Sequence, residues 1–447
     1  MKLLLSRVKG QLRRAAHSGQ PLAPAQALLP ELLLAILLPF WQYQQPIEDF
    51  WLPRREQRKP DYELLRTVML VCRAWYSVAA RLYYHAIEIQ PADTSEFTQA
   101  VKTLEDNPLI ARHVRVIHLP RDMRLIGANF NSLPWMKKLN YHRLRSQMKT
   151  SVIKILSLCT GATDVRFGAD GYVFSDVFQL SVVADRLTHL SLNTYLYSNH
   201  DVDELNKSCI LELDPYGMKL PALEVLRISH FAKLSVIAPG PGRLRKVFPR
   251  LRALIVSNSD LPSERTLADL IISLQPGLQV LALSDVYVTE PPVGDRQLHA
   301  LDALYAVSHN AIAPLQDLRL RVSSKGLPTR WHWPQEPSGA DVLRCLTHLT
   351  IHRSMLLNIG RVPFALQTFI CYYWEEDREE ESLWKALQFY RHAVPRWKEC
   401  APALSLIVQR VPNSEVGEFS SWATVSFLLH IHGSRFGVAA RTDIWSA

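Results

Sequence analysis

The apolar positions of this chain change period part-way along it. From Leu28 to Ile89 they recur at helical spacing. In LLPELLLAILLPF, Leu29, Leu33, Ile36 and Leu37 fall on one helical face. In PDYELLRTVMLVCRAWYSVAARLYYHAIEI, Leu64, Val68, Val71, Trp75, Val78 and Leu82 follow at alternating steps of four and three. Arg66, Arg73 and Arg81 lie off that seam. Pro30 suits a first helical turn, where its missing N–H is not needed, and Glu31 suits the positive end of the helix dipole. Asp61 can cap the second segment. A helical unit of about sixty residues buries little surface alone, so it needs the rest of the chain or a partner to pack on.

After Pro91 a further helix is expected, capped by Asp93 or Thr94, with Phe97, Val101 and Leu104 on its buried side and Asn107-Pro108 ending it. VRVIHL, from Val114, alternates as a short strand. The pattern Leu-x-x-Leu-x-Leu then recurs. It reads LTHLSL at 187, LEVLRI at 223, LRALIV at 251, LQVLAL at 278, LQDLRL at 315, LTHLTI at 346 and LQTFIC at 366, with DVRF at 164 a partial copy. The steps are 36, 28, 27, 37, 31 and 20 residues, near the long end of leucine-rich repeat spacing. Helical spacing fills several intervals, as in Leu267, Leu270, Ile271 and Leu274.

The predicted fold is α/β: an N-terminal helical unit followed by an irregular leucine-rich-repeat-like solenoid, parallel strands alternating with helices. The expected divisions are a basic arm over 1–27, the helical unit over 28–90 with an insertion at 39–60, and a linker with a helix and first strand over 91–160. The solenoid follows over 161–410, with a cap or tail over 411–447. Near the C-terminus a helix SLWKALQFYRHAV is expected to stop at Pro395, ALSLIVQR to form a last strand, and WATVSFLLHIHG to be a β-prone run.

Composition narrows the function classes. Hydrophobic content of 48% with 21% charged residues belongs to a folded chain, and no apolar run is long enough for a bilayer span, so no membrane partner is expected. Six cysteines without a CxxC pair argue for reduced thiols in an intracellular protein, cytoplasmic or nuclear, and against disulfides or a zinc module. The net charge is +9, and residues 1–30 hold Lys2, Arg7, Lys9, Arg13 and Arg14 without an acid. This segment is expected to be a solvated arm, an organelle-targeting presequence being the alternative.

No GxSxG, P-loop or HExxH is present, so neither enzymatic activity nor a cofactor is expected. His348 with His352, and His430 with His432, lack a third ligand, so no metal is expected. GRLRKVFPRLR (Gly242 to Arg252) and the group Arg54, Arg55, Arg58 and Lys59 are cationic, but no nucleic-acid module accompanies them and nucleic acid is not an expected partner.

In a repeat strand the inward leucines alternate with outward residues that line a binding face. Here the outward set includes His189, Ser191, Arg227, Ser229, Ser257, Ser284, Asp317, Arg319, Arg321, His348, Thr350, His352 and Tyr372. It reads as polar, basic in the middle and short of carboxylates. Arg227, Asp317, Arg319, Arg321, His348 and His352 are the candidate contacts for a protein substrate, with Arg319 and Arg321 pairing its acidic or phosphorylated groups.

The helical unit resembles an F-box. Leu29, Pro30, Glu31, Leu32, Leu33, Ile36 and Leu37 match that family's opening Leu-Pro-x-Glu-Leu-Leu-x-x-Ile-Leu signature. Leu65, Leu70, Val71, Cys72, Arg73, Trp75, Ala79, Leu82 and Tyr83 match its second half, although Pro39 to Pro60 is longer than the usual connection. Asn107, Pro108, Ala111, Val114, Arg115 and Leu119 resemble a run that fungal members carry after the box. The resemblance implies a substrate-recognition subunit of a ubiquitin ligase. Its box would bind a Skp-family adaptor, and through it a cullin, while the repeats hold a protein substrate. It implies Leu29, Pro30, Leu33, Ile36, Val71, Cys72 and Trp75 as box residues, with Pro30 and its neighbours toward the adaptor and Trp75 packed inside. A repeat scaffold unrelated to ubiquitin is the main alternative. A basic nucleic-acid-associated or organelle-targeted protein is another.

Overall fold

The computed structural model describes residues 30–38, 62–88, 94–119, 150–168, 180–193, 210–216, 219–229, 231, 233–261, 264–274, 277–288, 315–321, 345–352, 362, 364–372, 380–412, 428, 430–431 and 433–445. Leu29, Asp61, the basic arm and the insertion lie outside them.

The first segment forms α1 (Pro30–Leu37) with Leu33 and Leu37 buried. Ile36 sits a different way: it is 52% exposed. Leu33 and Leu37 are four apart and define the packed stripe, and Ile36 turns off it by roughly 100° relative to Leu37. The second segment makes two helices, α2 (Tyr62–Met69) and α3 (Arg73–Tyr83), because the chain turns at Leu70–Cys72. There the Leu70 and Val71 amides bond back to Thr67 O and Val68 O, at 3.2 and 3.1 Å. Cys72 takes an extended conformation as the N-cap of α3, and its carbonyl accepts the Tyr76 N–H at 2.8 Å. The turn divides the apolar seam between the two helices. Leu65, Val68, Val78, Ala79 and Leu82 close a core with Leu33 and Leu37, whereas Leu64 and Trp75 pack at its margin and Val71 is half-buried.

Only Tyr84 and His85 separate α3 from β1 (Ala86–Glu88), a strand where helical spacing had been expected to continue. β1 pairs in parallel with β2 (Val116–Leu119). Between them lie α4 (Thr94–Asp106) and α5 (Pro108–His113), so Asn107-Pro108 starts a new helix with Pro108 in its first turn.

The remaining strands are β3 (Asp164–Gly168), β4 (His189–Asn193), β5 (Ile210–Leu213), β6 (Val225–Ser229), β7 (Lys233–Val236), β8 (Ala253–Leu261), β9 (Val280–Val288), β10 (Asp317–Arg321), β11 (His348–His352), β12 (Thr368–Tyr372), β13 (Leu406–Pro412) and β14 (Ala439–Trp445). Of the fourteen strands among the described residues, twelve form one parallel sheet in chain order from β1 to β14; the other two, β5 and β7, pair with each other. This mixed α/β architecture with a large parallel sheet is compatible with a repeat solenoid, and every Leu-x-x-Leu-x-Leu copy supplies one strand. The sheet runs beyond 161–410 at both ends. The middle apolar residue of each copy occupies one register row: Ile117, Val165, Leu190, Leu226, Leu254, Leu281, Leu318, Leu349, Phe369 and Ile407 are all fully buried in a single core.

Cations close several turns behind the sheet. Arg186 donates to Leu156 O and Cys159 O, at 2.9 and 3.3 Å, at the end of α6 (150–158). Arg115 donates to Gly161 O at 2.8 Å, and Lys398 to Pro402 O and Leu404 O at 2.7 Å each. These carbonyls have no helical N–H to accept, and a cation suits the negative end of a helix.

α7 (Glu264–Leu274) leads toward β9. α8 (Glu380–Cys400) does not stop at Pro395. Tyr390, Val394 and Trp397 are fully buried, and the Trp397 ring lies 4.7 Å from that of Phe369, so packing outweighs the hydrogen bond that proline removes. The described residues over 428–434 are helical, so WATVSFLLHIHG is not a strand there; β14 follows after Gly437, which has φ 68°. Among the described residues no helix is long and apolar enough to cross a membrane.

Candidate functional site

Two surfaces hold the residues singled out from sequence. On the helical unit, Pro30 and Ile36 are exposed, Leu33 is in the core at 2% exposure, and Val71, Cys72 and Trp75 are half-buried. Leu33 is therefore a packing residue, not a surface contact. Leu32, which the sequence reading did not single out as a contact, is 53% exposed and one turn from Ile36, and Leu70 in the α2–α3 turn is 82% exposed. Spacing at i and i+4 on α1 was the signal for the Leu32–Ile36 pair.

On the sheet, alternation and register put Arg227, Asp317, Arg319 and His348 on the outward face. The side chains of Arg321 and His352 lie outside the described residues. Arg319 is engaged by its neighbour on the same strand: Nη2 donates to Asp317 Oδ2 at 2.7 Å and Nε to both carboxylate oxygens at 3.1 and 3.2 Å. The middle of the face is not basic. Between Arg227 on β6 and Arg319 on β10, the outward residues Ala253, Ile255 and Ala282 are buried together with Val225 as a small second core. Ser229, Ser257 and Ser284 are buried too, and the Ser229 and Ser257 hydroxyls bond at 2.7 Å.

The polar concentration lies instead on β2–β6. Asp164, 6% exposed, faces Arg166 across 3.7 Å, and His118, His189 and Arg227 stand close by. Burial pushes the Asp164 carboxyl up, opposed by Arg166, His189 and Arg227. Burial pushes the His118 imidazole down to about 3, helped by the Arg166 charge. Burial also lowers His189, against the pull of Asp164 and Glu224. The Thr188 hydroxyl donates to Thr163 O at 3.1 Å and meets His189 Nδ1 at 2.8 Å. With its proton on the carbonyl, that hydroxyl accepts from Nδ1–H, which leaves Nε2 of the neutral ring as an acceptor. Thr347 holds His348 in the same way, at 3.1 and 2.9 Å. The outward set read from sequence omitted His118, Asp164 and Arg166. The signal for Asp164 and Arg166 was the Asp-x-Arg spacing in DVRF, which alternation places on one face.

Among the described residues no group of three or more His, Cys, Asp or Glu side chains could hold a metal ion. His430 is helical, not on a strand face. No protein-family model matches the chain, and no curated protein is similar to it. Among solved structures, that of the TLR13–ssRNA13 complex is similar at 12% identity over 69% of this chain, with a TM-score of 0.23. The chain spans about half of that structure's length (48%).

Proposed function

We propose that this chain is the substrate-recognition subunit of a Skp–cullin–F-box type ubiquitin ligase. Its helical unit binds a Skp-family adaptor, and through it a cullin, while its parallel sheet holds a protein substrate. One observation carries the reading. The two box-like segments fold into one three-helix unit with a core separate from the sheet core, and that unit leaves Leu32 and Ile36 together on the solvent side of α1. An exposed aliphatic stripe on a helix suits burial against another helical protein. The short α3–β1 junction supports the same reading. His85 O accepts the Arg115 and Val116 amides at 2.8 and 3.0 Å, so the two surfaces are fixed in one relation. The chain then contributes proximity, not chemistry.

The test is co-purification of the full chain with a Skp-family adaptor. Leu32→Ala with Ile36→Asp is expected to abolish the complex while thermal unfolding stays unchanged, because both side chains are half exposed. Leu33→Ala is unsuitable, since it strikes the core. A complex that survives the double substitution sinks the box assignment and leaves a repeat scaffold without a ubiquitin role. Of the outward residues first expected to take an acidic substrate, Arg319 is supported least, because Asp317 already supplies its carboxylate.

A further inference from the structure

We infer that the outward face of β3 and β4 holds an extended segment of the protein substrate through uncharged N–H donors, with the Asp164 carboxylate and the Asn193 amide oxygen accepting. This rests on the substrate-binding reading of the sheet and gives it a place and a chemistry.

Asp164 Oδ1 and Asn193 Oδ1 are both buried, and neither has a hydrogen-bond partner among the described residues. Register sets them on neighbouring strands, Asp164 opposite His189 and Asn193 opposite Gly168. Val165, Leu190 and Leu192 point into the core, so Asp164 and Asn193 point out of it. Buried acceptors are nearly always satisfied, and leaving one unmet is unfavourable, so two on adjacent strands of the binding face form an unusual concentration. His189 adds a third acceptor, Nε2, because Thr188 takes its other ring proton. His189 and Ser191 are half-buried and form the open side of the patch.

Three acceptors call for donors. Arg166 and Arg227 stand close to Asp164, so a lysine or arginine of the partner would meet like charge. Backbone amides and Asn or Gln side chains remain. Asp164 begins the shared register and Asn193 ends it, four residues on, about 13 Å along the strands at a rise of roughly 3.3 Å per residue. An extended segment of a few residues spans that distance.

A displayed random-peptide library, panned against the full-length protein, supplies the probe. Recovered peptides should be rich in Asn and Gln. Their affinity should fall about tenfold with Asn193→Ala and with Asp164→Asn, the size of one lost hydrogen bond to a charged or buried group. Ile36→Asp should leave that affinity unchanged. The melting temperature of Asn193→Ala alone should hold or rise, since an unmet acceptor is removed. A fall in melting temperature, Lys- or Arg-rich peptides, failure to recover any peptide, or affinity indifferent to both substitutions each overturns the inference. Adaptor co-purification on the same variants separates the two readings. Peptide capture without an adaptor sinks the ligase assignment alone, and an adaptor complex with no peptide effect sinks this site alone.

Discussion

Leu33→Ala asks whether the helical unit and the sheet are separate cooperative units. Leu33 is 2% exposed and packs with Leu37, Leu65, Val68, Val78, Ala79 and Leu82. Deleting such a side chain costs about 2–5 kcal/mol, the transfer of the lost groups plus the cavity left behind. The helices it serves have 8, 8 and 11 residues, too short to persist without packing. A unit of about sixty residues has roughly 3–9 kcal/mol to lose, so the substitution removes much of it. Hydrogen exchange read by mass spectrometry is the assay. Amides of α1 and α2 should exchange at least ~30-fold faster, the factor for about 2 kcal/mol of local opening. Peptides carrying Leu226 and Leu254, in the other core, should keep their protection. Ile36→Ala, at an exposed site, should change exchange little. Equal acceleration in helices and sheet, or none in either, would refute the separation of cores.

Other consequences are testable together. Arg186→Ala removes the bonds to Leu156 O and Cys159 O, and urea unfolding should show a loss of about 1–3 kcal/mol. At Gly161 a β-carbon would strike the Arg115 guanidinium and come within 2.7 Å of Arg112 O, so Gly161→Ala should lower the melting temperature, through backbone displacement costing about 1–3 kcal/mol. His118 and His85 are lowered to about 3 and about 4, mainly by burial. Folding keeps them neutral while the unfolded chain takes up protons below its ordinary value of 6.5. Stability is thus full above pH 6.5 and falls as pH drops toward those values. Between pH 7 and 5, His118 should cost about 2 kcal/mol, which His118→Gln should abolish in a urea series. Asp164, raised by burial, works in the opposite direction.

The strands were legible because each copy spends its middle leucine on the same buried row. β1 was not: AIE follows α3 after Tyr84 and His85 with no glycine or proline to announce the change, and pairing with β2 decides it. Pro395 looked like a stop, but burial of Tyr390, Val394 and Trp397 holds the helix through it. On the candidate face, the strand cores ALIV and VLAL are apolar at both parities. That pattern marks a strand buried on both sides, and it was the available signal that the middle of the face is closed. The Asp317–Arg319 pair was equally legible as two charges two residues apart on one strand. The exposure of Ile36 was not, because only packing against α3 selects Leu33 and Leu37 from a helix rich in leucine.

The large sheet adds its twelve strands in the order in which they are synthesised, β1 through β14 without β5 and β7, each beside the sheet strand made before it. A ribosome therefore releases every new strand next to an edge that has already formed, and the growing edge serves as template for the next. Such a chain needs few long-range searches, and its assembly can proceed from the N-terminus at the pace of translation. The same geometry makes damage directional. A substitution that unseats β8 during synthesis leaves the sheet strands from β1 to β6 able to form and deprives β9 and everything after it of a template. Premature release near β8 should then yield a folded stub that keeps the helical unit.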